Sequence, residues 1–404
     1  MTKCFVIAVV LTGSLCGCGS SYSRMKSEDQ IAPFGELARA YSAMPTQIVR
    51  VQTVRADEPP IRVAIHKSGN RSATGPILVF IHGLFSESSA WRYVAGALGT
   101  DHTVWLIDLP GCGASEKPHP SRLTRDGYGP TGLADRIYQA LAAELAAEPL
   151  ERRVVLVGHS LGSAIAMRMM ADPVLREAYG PTRLRVSGLV LLTPLDVAIE
   201  KPIPVLEYVA HVHDLEIVGA QVSGVLRERL AAGVMQSYGD PDRAPREEVD
   251  RSVRMLTASS SRRALQAMIV QATPRRPKPV RPARPDWPRI DRLVMQYSNI
   301  DVPVRIACGA HDETFPASMS YKLAAQVPCA GLVVIRDCMH SPHLERPREA
   351  AAIIEDFIGA ADASKSPRLA LESRRKCCDV GELCGHLKPW SCYEQEDLDR
   401  RRGR

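Results

Sequence analysis

Short apolar runs that alternate with helical patterns restrict the fold of this chain more than any other feature. ILVFI, TVWLI and VVLV (77–81, 103–107 and 154–157) are apolar apart from Thr103, which is typical of strands buried on both faces of a sheet. Further strands are predicted at 62–66, 186–192, 302–307 and 332–335. Helical patterns lie between them, for example at 131–148 and 347–360. Alternating strands and helices predict an α/β fold, with a mostly parallel sheet and helices on both faces.

The alternation breaks once, between residues 195 and 290, where no buried strand is predicted. Helical patterns occupy 218–231 and 249–256, and the stretch ends in TPRRPKPVRPARPDWPR. The six prolines of this segment favour an extended, solvated conformation. We expect a helical cap over 195–290, inserted into a core formed by 56–194 and 291–361. The basic segment is either a solvated loop or a contact for anionic lipid headgroups.

The first 18 residues resemble a targeting segment. Lys3 precedes the apolar run CFVIAVVL, which is shorter than the roughly 17 residues of a membrane-spanning helix, so we expect a signal peptide. It ends in LCGC, which resembles the bacterial lipobox with Cys18 as the lipidated residue, although Cys16 departs from that pattern. An exported lipoprotein anchored to a membrane is expected, and a secreted or periplasmic protein is the alternative. Residues 19–55 are predicted to form a polar tether with one short helix.

The charge and the cysteine content restrict which classes of partner and cofactor are expected. The net charge is +6, and no basic patch is interleaved with aromatic residues, so a nucleic-acid partner is not expected. The segment 362–404 is charged and rich in cysteine, and we place it outside the fold. Its cysteines fit no zinc spacing, so disulfides are the better interpretation there and no metal is predicted. Cys308 and Cys338 form either a disulfide or two buried thiols.

The sequence GHSLG (158–162) follows VVLV directly and opens a helical segment of small residues. It fits the G-x-S-x-G motif, in which a serine lies on a sharp turn between a strand and a helix. The strained backbone exposes the serine oxygen, and Gly158 and Gly162 avoid clashes around it. The alternative is a serine without a catalytic role in a glycine-rich turn, but that alternative does not explain why the turn lies between a predicted buried strand and a helix. Ser160 is therefore the predicted nucleophile, and His159 lies in the same turn.

In chains with this motif the acid and then the histidine follow the nucleophile. Asp312 comes soon after a predicted strand, in CGAHDETFP; a turn or helix-capping role is the alternative for an aspartate there. His340 and His343 both follow the last predicted strand, in MHSPHLERP. The residues alone leave the choice between these two histidines open.

Acyl chemistry also needs backbone N–H groups that stabilise the developing oxyanion. Leu161, the residue after the nucleophile, is expected to supply one of them. The sequence His82-Gly83-Leu84 follows ILVFI, and the Leu84 amide is expected to supply the other. His82 is expected to be a buried residue that braces this loop, beside Gly83.

Five segments together resemble the motifs of α/β-hydrolase-fold enzymes: HGLFSESSAW, DLPGCGAS, GHSLG, CGAHDETFP and MHSPHLERP. They occur in the family's order between about residues 60 and 360. The resemblance implies an eight-stranded sheet with a cap inserted after the sixth strand. It also implies that Asp312 is the acid and that His340 is the general base, because His340, Glu345 and Pro347 match the family's ending. The chain departs from the family pattern at noncatalytic positions: Cys112, Cys338 and Met339.

For this chain the resemblance implies a serine hydrolase of the esterase or lipase kind, which cleaves a small-molecule ester through an acyl-enzyme and without a cofactor. Lipid esters are among the candidate substrates. Carbon–carbon bond hydrolases, proline-iminopeptidase-like peptidases and cofactor-free haloperoxidases share the same triad, and the cap separates them. A noncatalytic binding protein on the same scaffold is a further alternative. Ser160 argues against the dehalogenases and epoxide hydrolases of this fold, which have aspartate at that position.

Overall fold

The structure is a computed structural model of the 404-residue chain, and it describes residues 21–41, 46–53, 58–70, 73–99, 101–124, 126–179, 184–197, 209–274 and 286–363. The predicted signal peptide with Cys18, most of the Arg/Pro segment and the tail from residue 364 onward lie outside the described residues. Within the described part of the chain, no helix is both long and apolar enough to cross a membrane.

An eight-stranded sheet forms the centre of the molecule. Its strands are β1 (Thr46–Val51), β2 (Ile61–Gly69), β3 (Ile77–Ile81), β4 (Thr103–Asp108), β5 (Val154–His159), β6 (Val186–Leu192), β7 (Val304–Gly309) and β8 (Ala330–Ile335). The spatial order is β1-β2-β4-β3-β5-β6-β7-β8. The β1–β2 and β2–β4 pairs are antiparallel, and every other pair is parallel. This topology confirms the predicted fold class.

The described helices lie around and above this sheet. In chain order they are α1 (Ser21–Arg24), α2 (Phe34–Tyr41), α3 (Arg92–Leu98), α4 (Pro130–Leu145), α5 (Leu161–Ala171), α6 (Pro173–Tyr179), α7 (Asp214–Val222), α8 (Val225–Gln236), α9 (Arg246–Thr257), α10 (Ser259–Gln271), α11 (Trp287–Met295), α12 (Ala317–Gln326), α13 (Pro342–Glu345) and α14 (Pro347–Ala363). Helices α7 to α11 all lie between β6 and β7 in the sequence, which agrees with a helical cap inserted after the sixth strand.

Alternating residues of the central strands pack in two separate apolar layers, because successive side chains of a strand point to opposite faces of the sheet. Ile77, Val79 and Ile81 of β3 pack in the layer that contains α4 and α5. Leu78 and Phe80 pack in the layer that contains α3 and α14. All five side chains are buried, so the continuous apolar run is explained by helices on both faces.

The prediction of a polar tether over residues 19–55 is wrong for its described part. Phe34 of α2 is fully buried and stacks on Tyr93 with ring centroids 4.4 Å apart. Strand β1 pairs with β2 along its whole length, from Thr46 to Val51. The chain therefore joins the folded core well before residue 56.

Buried ion pairs join the cap, the core and the N-terminal segment. Arg92 of α3 donates to Glu28 at 2.7 Å and to Glu248 of α9 at 2.8 Å. Glu248 also accepts from Arg251 at 3.1 Å. The Arg92 and Arg251 side chains are only 8% and 7% exposed, and burial lowers the pKa of Arg251 to about 10. The Glu248 carboxylate is thus shared by two buried guanidinium groups.

We expect Glu248→Ala to lower the free energy of unfolding by about 3–5 kcal/mol, because two buried cations would lose their shared partner. Asp29→Ala is the matched control, since the Asp29–Arg39 pair is about 70% exposed on both sides and exposed pairs contribute only about 0–1 kcal/mol. Urea unfolding of both variants measures the difference. Equal losses in the two variants would contradict a stabilising role for the buried network.

Candidate active site

The predicted site residues come from loops at one edge of the sheet. Gly83 follows β3, Ser160 follows β5, Asp312 follows β7 and His340 follows β8. These four strands are parallel, so the loops after their carboxyl ends lie on the same side. In open α/β sheets this edge is where ligands bind.

Ser160 lies in the strained turn between β5 and α5. Its φ and ψ are 52° and −114°, a region that residues with a side chain rarely adopt. Its N–H donates to the Leu192 carbonyl at 3.0 Å, and its carbonyl accepts from the Leu195 N–H at 3.1 Å. A Cβ on Gly162 would lie 2.0 Å from the Ile81 carbonyl oxygen. The turn therefore requires glycine at that position.

Asp312 and His340 are joined by a hydrogen bond. His340 Nδ1 lies 2.8 Å from Asp312 Oδ2. The Asp312 side chain is fully buried, while 18% of the His340 side chain is exposed. The other carboxylate oxygen, Oδ1, accepts from the N–H groups of Thr314 at 2.8 Å and Phe315 at 2.9 Å. The carboxylate is thus fixed by the following turn, and it holds Nδ1 of the imidazole.

His159 links the serine turn to the histidine loop. Its Nε2 donates to the His340 carbonyl at 2.9 Å, and Thr193 Oγ1 donates to the same oxygen at 2.8 Å. The ring centroids of His159 and His340 are 5.1 Å apart. Among the described residues, no hydrogen bond joins the Ser160 hydroxyl to the His340 ring; in enzymes without substrate, such bonds are often long and tighten only on binding.

The rival histidine, His343, lies in a different environment. It is 1% exposed, and its ring packs 4.2 Å from His159 and 4.6 Å from Trp91 between centroids. Burial, followed by the nearby His159, lowers its pKa well below the usual value. Its Nδ1 has no hydrogen-bond partner within the described residues. The carboxylate of Asp312 therefore selects His340 and leaves His343 as a neutral packing residue.

The loop after β3 approaches the serine turn closely. His82 is fully buried; its Nδ1 donates to the Gly83 carbonyl at 2.8 Å, and its Nε2 accepts from the Leu109 N–H at 3.1 Å. Burial lowers the His82 pKa, so the ring is neutral and braces the loop. A Cβ on Gly83 would lie 2.8 Å from His159 Nδ1 and 3.1 Å from Ser160 Cβ, so glycine is favoured there. The Leu84 and Leu161 amides stay predicted oxyanion donors.

Glu345 has a role in this site that was not predicted from the sequence. Its buried carboxylate accepts from the N–H groups of Met339 and Ser341, on either side of His340, both at 3.0 Å. It also accepts from Gly239 of the cap at 2.9 Å. Burial raises the Glu345 pKa, and the three N–H donors oppose that effect. The spacing of Glu345 from His340 contributed to the family resemblance, but it did not predict the hydrogen bonds that Glu345 makes with the backbone beside His340.

The two cysteines next to the site are separate thiols. Cys308 and Cys338 are both buried and free, so the disulfide alternative is wrong and the alternative of buried thiols is confirmed. Burial raises the pKa of Cys308 to about 12 and also raises that of Cys338. Both side chains are therefore protonated at neutral pH and act as small apolar groups.

Comparisons with known proteins agree with this architecture. An uncharacterised protein of Mycobacterium tuberculosis is 25% identical over 317 residues, which cover 75% of this chain and 81% of that protein. The crystal structure of a putative lipase from Acinetobacter baumannii has a TM-score of 0.56 at 18% identity, covering 87% of this chain and all of that one. A bacterial membrane phospholipase A has a TM-score of 0.54 at 20% identity, covering 81% and 89%. At these identities the structural likeness shows a shared fold.

The family model described as the alpha/beta hydrolase family matches residues 78–353. This range is more than half of the chain, and it contains Ser160, Asp312 and His340. The protein belongs to the alpha/beta hydrolase family.

Proposed function

We propose that the protein is a serine hydrolase that cleaves carboxylic esters through an acyl-enzyme. The observation that carries the proposal is the 2.8 Å bond between Asp312 and His340 at the sheet edge where Ser160 lies in a strained turn. A serine presented in this way, with a histidine oriented by a buried carboxylate, is the arrangement that activates a hydroxyl as a nucleophile.

The chemistry follows from the position of each group. His340 takes the proton of Ser160 while the serine oxygen attacks the ester carbonyl. Asp312 holds the imidazole tautomer and stabilises the imidazolium that forms. The Leu84 and Leu161 amides bind the oxyanion, and His340 then protonates the leaving alcohol. Water attacks the acyl-enzyme by the same steps and releases the acid.

The proposed substrate is a small-molecule ester, and lipid esters are the favoured class. The fold is shared with a putative lipase and with a membrane phospholipase A. The predicted lipidation of Cys18 would hold the protein at a membrane, where such esters occur. A series of p-nitrophenyl esters of increasing chain length would establish the acyl preference.

Ser160→Ala should lower kcat by up to about 10⁶-fold, because the nucleophile would be absent. Ser121→Ala, which alters an exposed serine, is the control and should keep full activity. A fluorophosphonate probe should label the wild-type chain and the control but not Ser160→Ala. Turnover of every active ester at the wild-type rate by Ser160→Ala would exclude the proposed mechanism.

The two histidines should differ sharply in their effects. His340→Ala should reduce kcat about as much as Ser160→Ala, since residues that act as a unit lose nearly all activity when either is removed. His343→Leu has a side chain of similar volume against Trp91 and should retain activity within about tenfold of wild type, because a replacement that nearly conserves volume is tolerated best. Steady-state kinetics on one ester measure both, and the opposite ranking would assign the general base to His343.

We also propose that the mature chain is a lipoprotein anchored at Cys18. Acyl chains attached there would each contribute about 0.8 kcal/mol per buried CH₂ to membrane binding. Cys18→Ser should therefore move the protein from the membrane fraction to the soluble fraction. Mass spectrometry of the wild-type N-terminus should show the attached lipid, and unchanged fractionation with no lipid on the wild type would refute the anchor.

A further inference from the structure

One helix of the cap exposes an apolar face to solvent. Leu215, Val218 and Val222 of α7 are 84%, 53% and 84% exposed. Their spacing places them on one side of the helix, while Ile217 on the other side is buried. Single exposed apolar residues are ordinary, but several on one helix face indicate an interaction surface.

The junction between α7 and α8 is uncharged and exposed. Residues 217–226 contain no charged side chain. A Cβ built on Gly219 or on Gly224 would meet no atom within 4 Å. The apolar face therefore continues into an uncharged tip that is surrounded by solvent in the described part of the chain.

The N-terminal segment is attached at this same corner of the molecule. The Tyr22 N–H donates to Glu228 at 3.2 Å, and the Tyr22 hydroxyl donates to Asp250 at 2.9 Å. The Arg227 guanidinium lies over the Tyr22 ring at 4.8 Å. Arg227 and Glu228 belong to the first turn of α8, a few residues after Val222.

The length of chain before Tyr22 limits how far a lipid anchor can lie from the apolar face. Cys18 precedes Ser21 by only three residues, which span at most about 11 Å when fully extended. A lipid on Cys18 would hold the α7–α8 corner next to the bilayer, since the described part of the segment predicted as a tether is packed against the fold.

The basic residues nearest the attachment point suit an anionic surface. Arg24 and Lys26 are exposed there. The acidic group of Asp250 accepts from Tyr22 and lies 3.5 Å from Arg227. Two other acidic groups lie in the first turn of α7, at its far end: Asp214, which pairs with Arg262, and the exposed Glu216. Basic residues near a membrane are attracted by anionic headgroups.

We propose that Leu215, Val218 and Val222 form a membrane-docking face, which inserts into the interface of an anionic phospholipid bilayer beside the lipid on Cys18. The inference rests on the proposed anchoring and specifies which side of the enzyme meets the membrane. Docking on this face would hold the cap, rather than the opposite edge of the sheet, against the source of lipid esters.

Depth-dependent quenching tests the orientation with the full chain. Val222→Trp and Leu150→Trp each place a tryptophan at a highly exposed apolar position, and Leu150 lies in the turn before β5, away from the cap. The variants are added to equimolar phosphatidylglycerol and phosphatidylcholine vesicles with brominated acyl chains. Fluorescence of the Val222→Trp variant should fall clearly more than that of Leu150→Trp. Equal quenching of the two, at any level, would overturn the proposal.

A combined Leu215→Ser, Val218→Ser and Val222→Ser variant excludes other occupants of the face. Its matched control carries Leu150→Ser, Val174→Ser and Met295→Ser, which remove exposed apolar side chains elsewhere. The first triple variant should lower vesicle partition at least about tenfold relative to the control, with the melting temperature and oligomeric state unchanged. A dimer that becomes a monomer, or a melting temperature that falls only in the first variant, would assign the face to a second copy or to the chain itself and would overturn the proposal.

Hydrolysis of p-nitrophenyl acetate in the same samples separates this inference from the proposed activity. The reaction occurs in solution, so the docking variants should keep the wild-type rate. A wild-type chain that hydrolyses no ester but shows the expected quenching would refute the esterase and leave the docking face intact. Normal hydrolysis with equal quenching of the two tryptophan variants would overturn the docking face and leave the esterase proposal intact.

Discussion

The contact between the end of β3 and the turn after β5 is the constraint on which the site depends. Gly162 approaches the Ile81 carbonyl so closely that a Cβ there would lie 2.0 Å from the oxygen. This approach forces the chain to turn sharply at Ser160, at a backbone cost of about 1–3 kcal/mol. The parallel pairing of β5 with both β3 and β6 holds the turn in place. The same approach brings the loop with Gly83 against Ser160, so a single packing contact positions both the proposed nucleophile and the proposed oxyanion loop.

The core of the fold could be predicted from the sequence because burial on two faces leaves a continuous apolar run. The strand β1 could not, since the first three residues of TQIVRV are exposed, including Ile48, and only Val49 and Val51 are buried. Its place in the sheet comes from pairing with β2. Phe34 was missed for a similar reason, because its partner Tyr93 is distant in the sequence and a single aromatic residue has no period.

In the site, too, features set by neighbouring residues could be predicted from the sequence, whereas features set by tertiary contacts could not. The turn at Ser160 is encoded by five consecutive residues, and the sequence was sufficient to predict it. Local sequence did not distinguish the general base from the other histidines. In the structure His82, His159 and His343 are all buried, and burial lowers the pKa of each. Among the four histidines of the described site, only His340 is bonded to a carboxylate and partly exposed. That difference depends on which strands are neighbours in the sheet. The sequence alone indicates His340 only through the family resemblance.

Glu345 gives the cap a part in positioning the proposed general base. Its carboxylate is shared by the backbone on both sides of His340 and by Gly239 of the cap. A Cβ on Gly239 would lie 2.8 Å from the Asp337 carbonyl oxygen, so the cap turn is packed directly on the histidine loop. If that turn moved away, a buried carboxylate would lose a donor, and burying an incompletely paired charge is costly. The cap base and the histidine loop therefore form one unit. Changes in the cap that alter substrate preference without disturbing His340 are therefore expected away from the turn that contains Gly239.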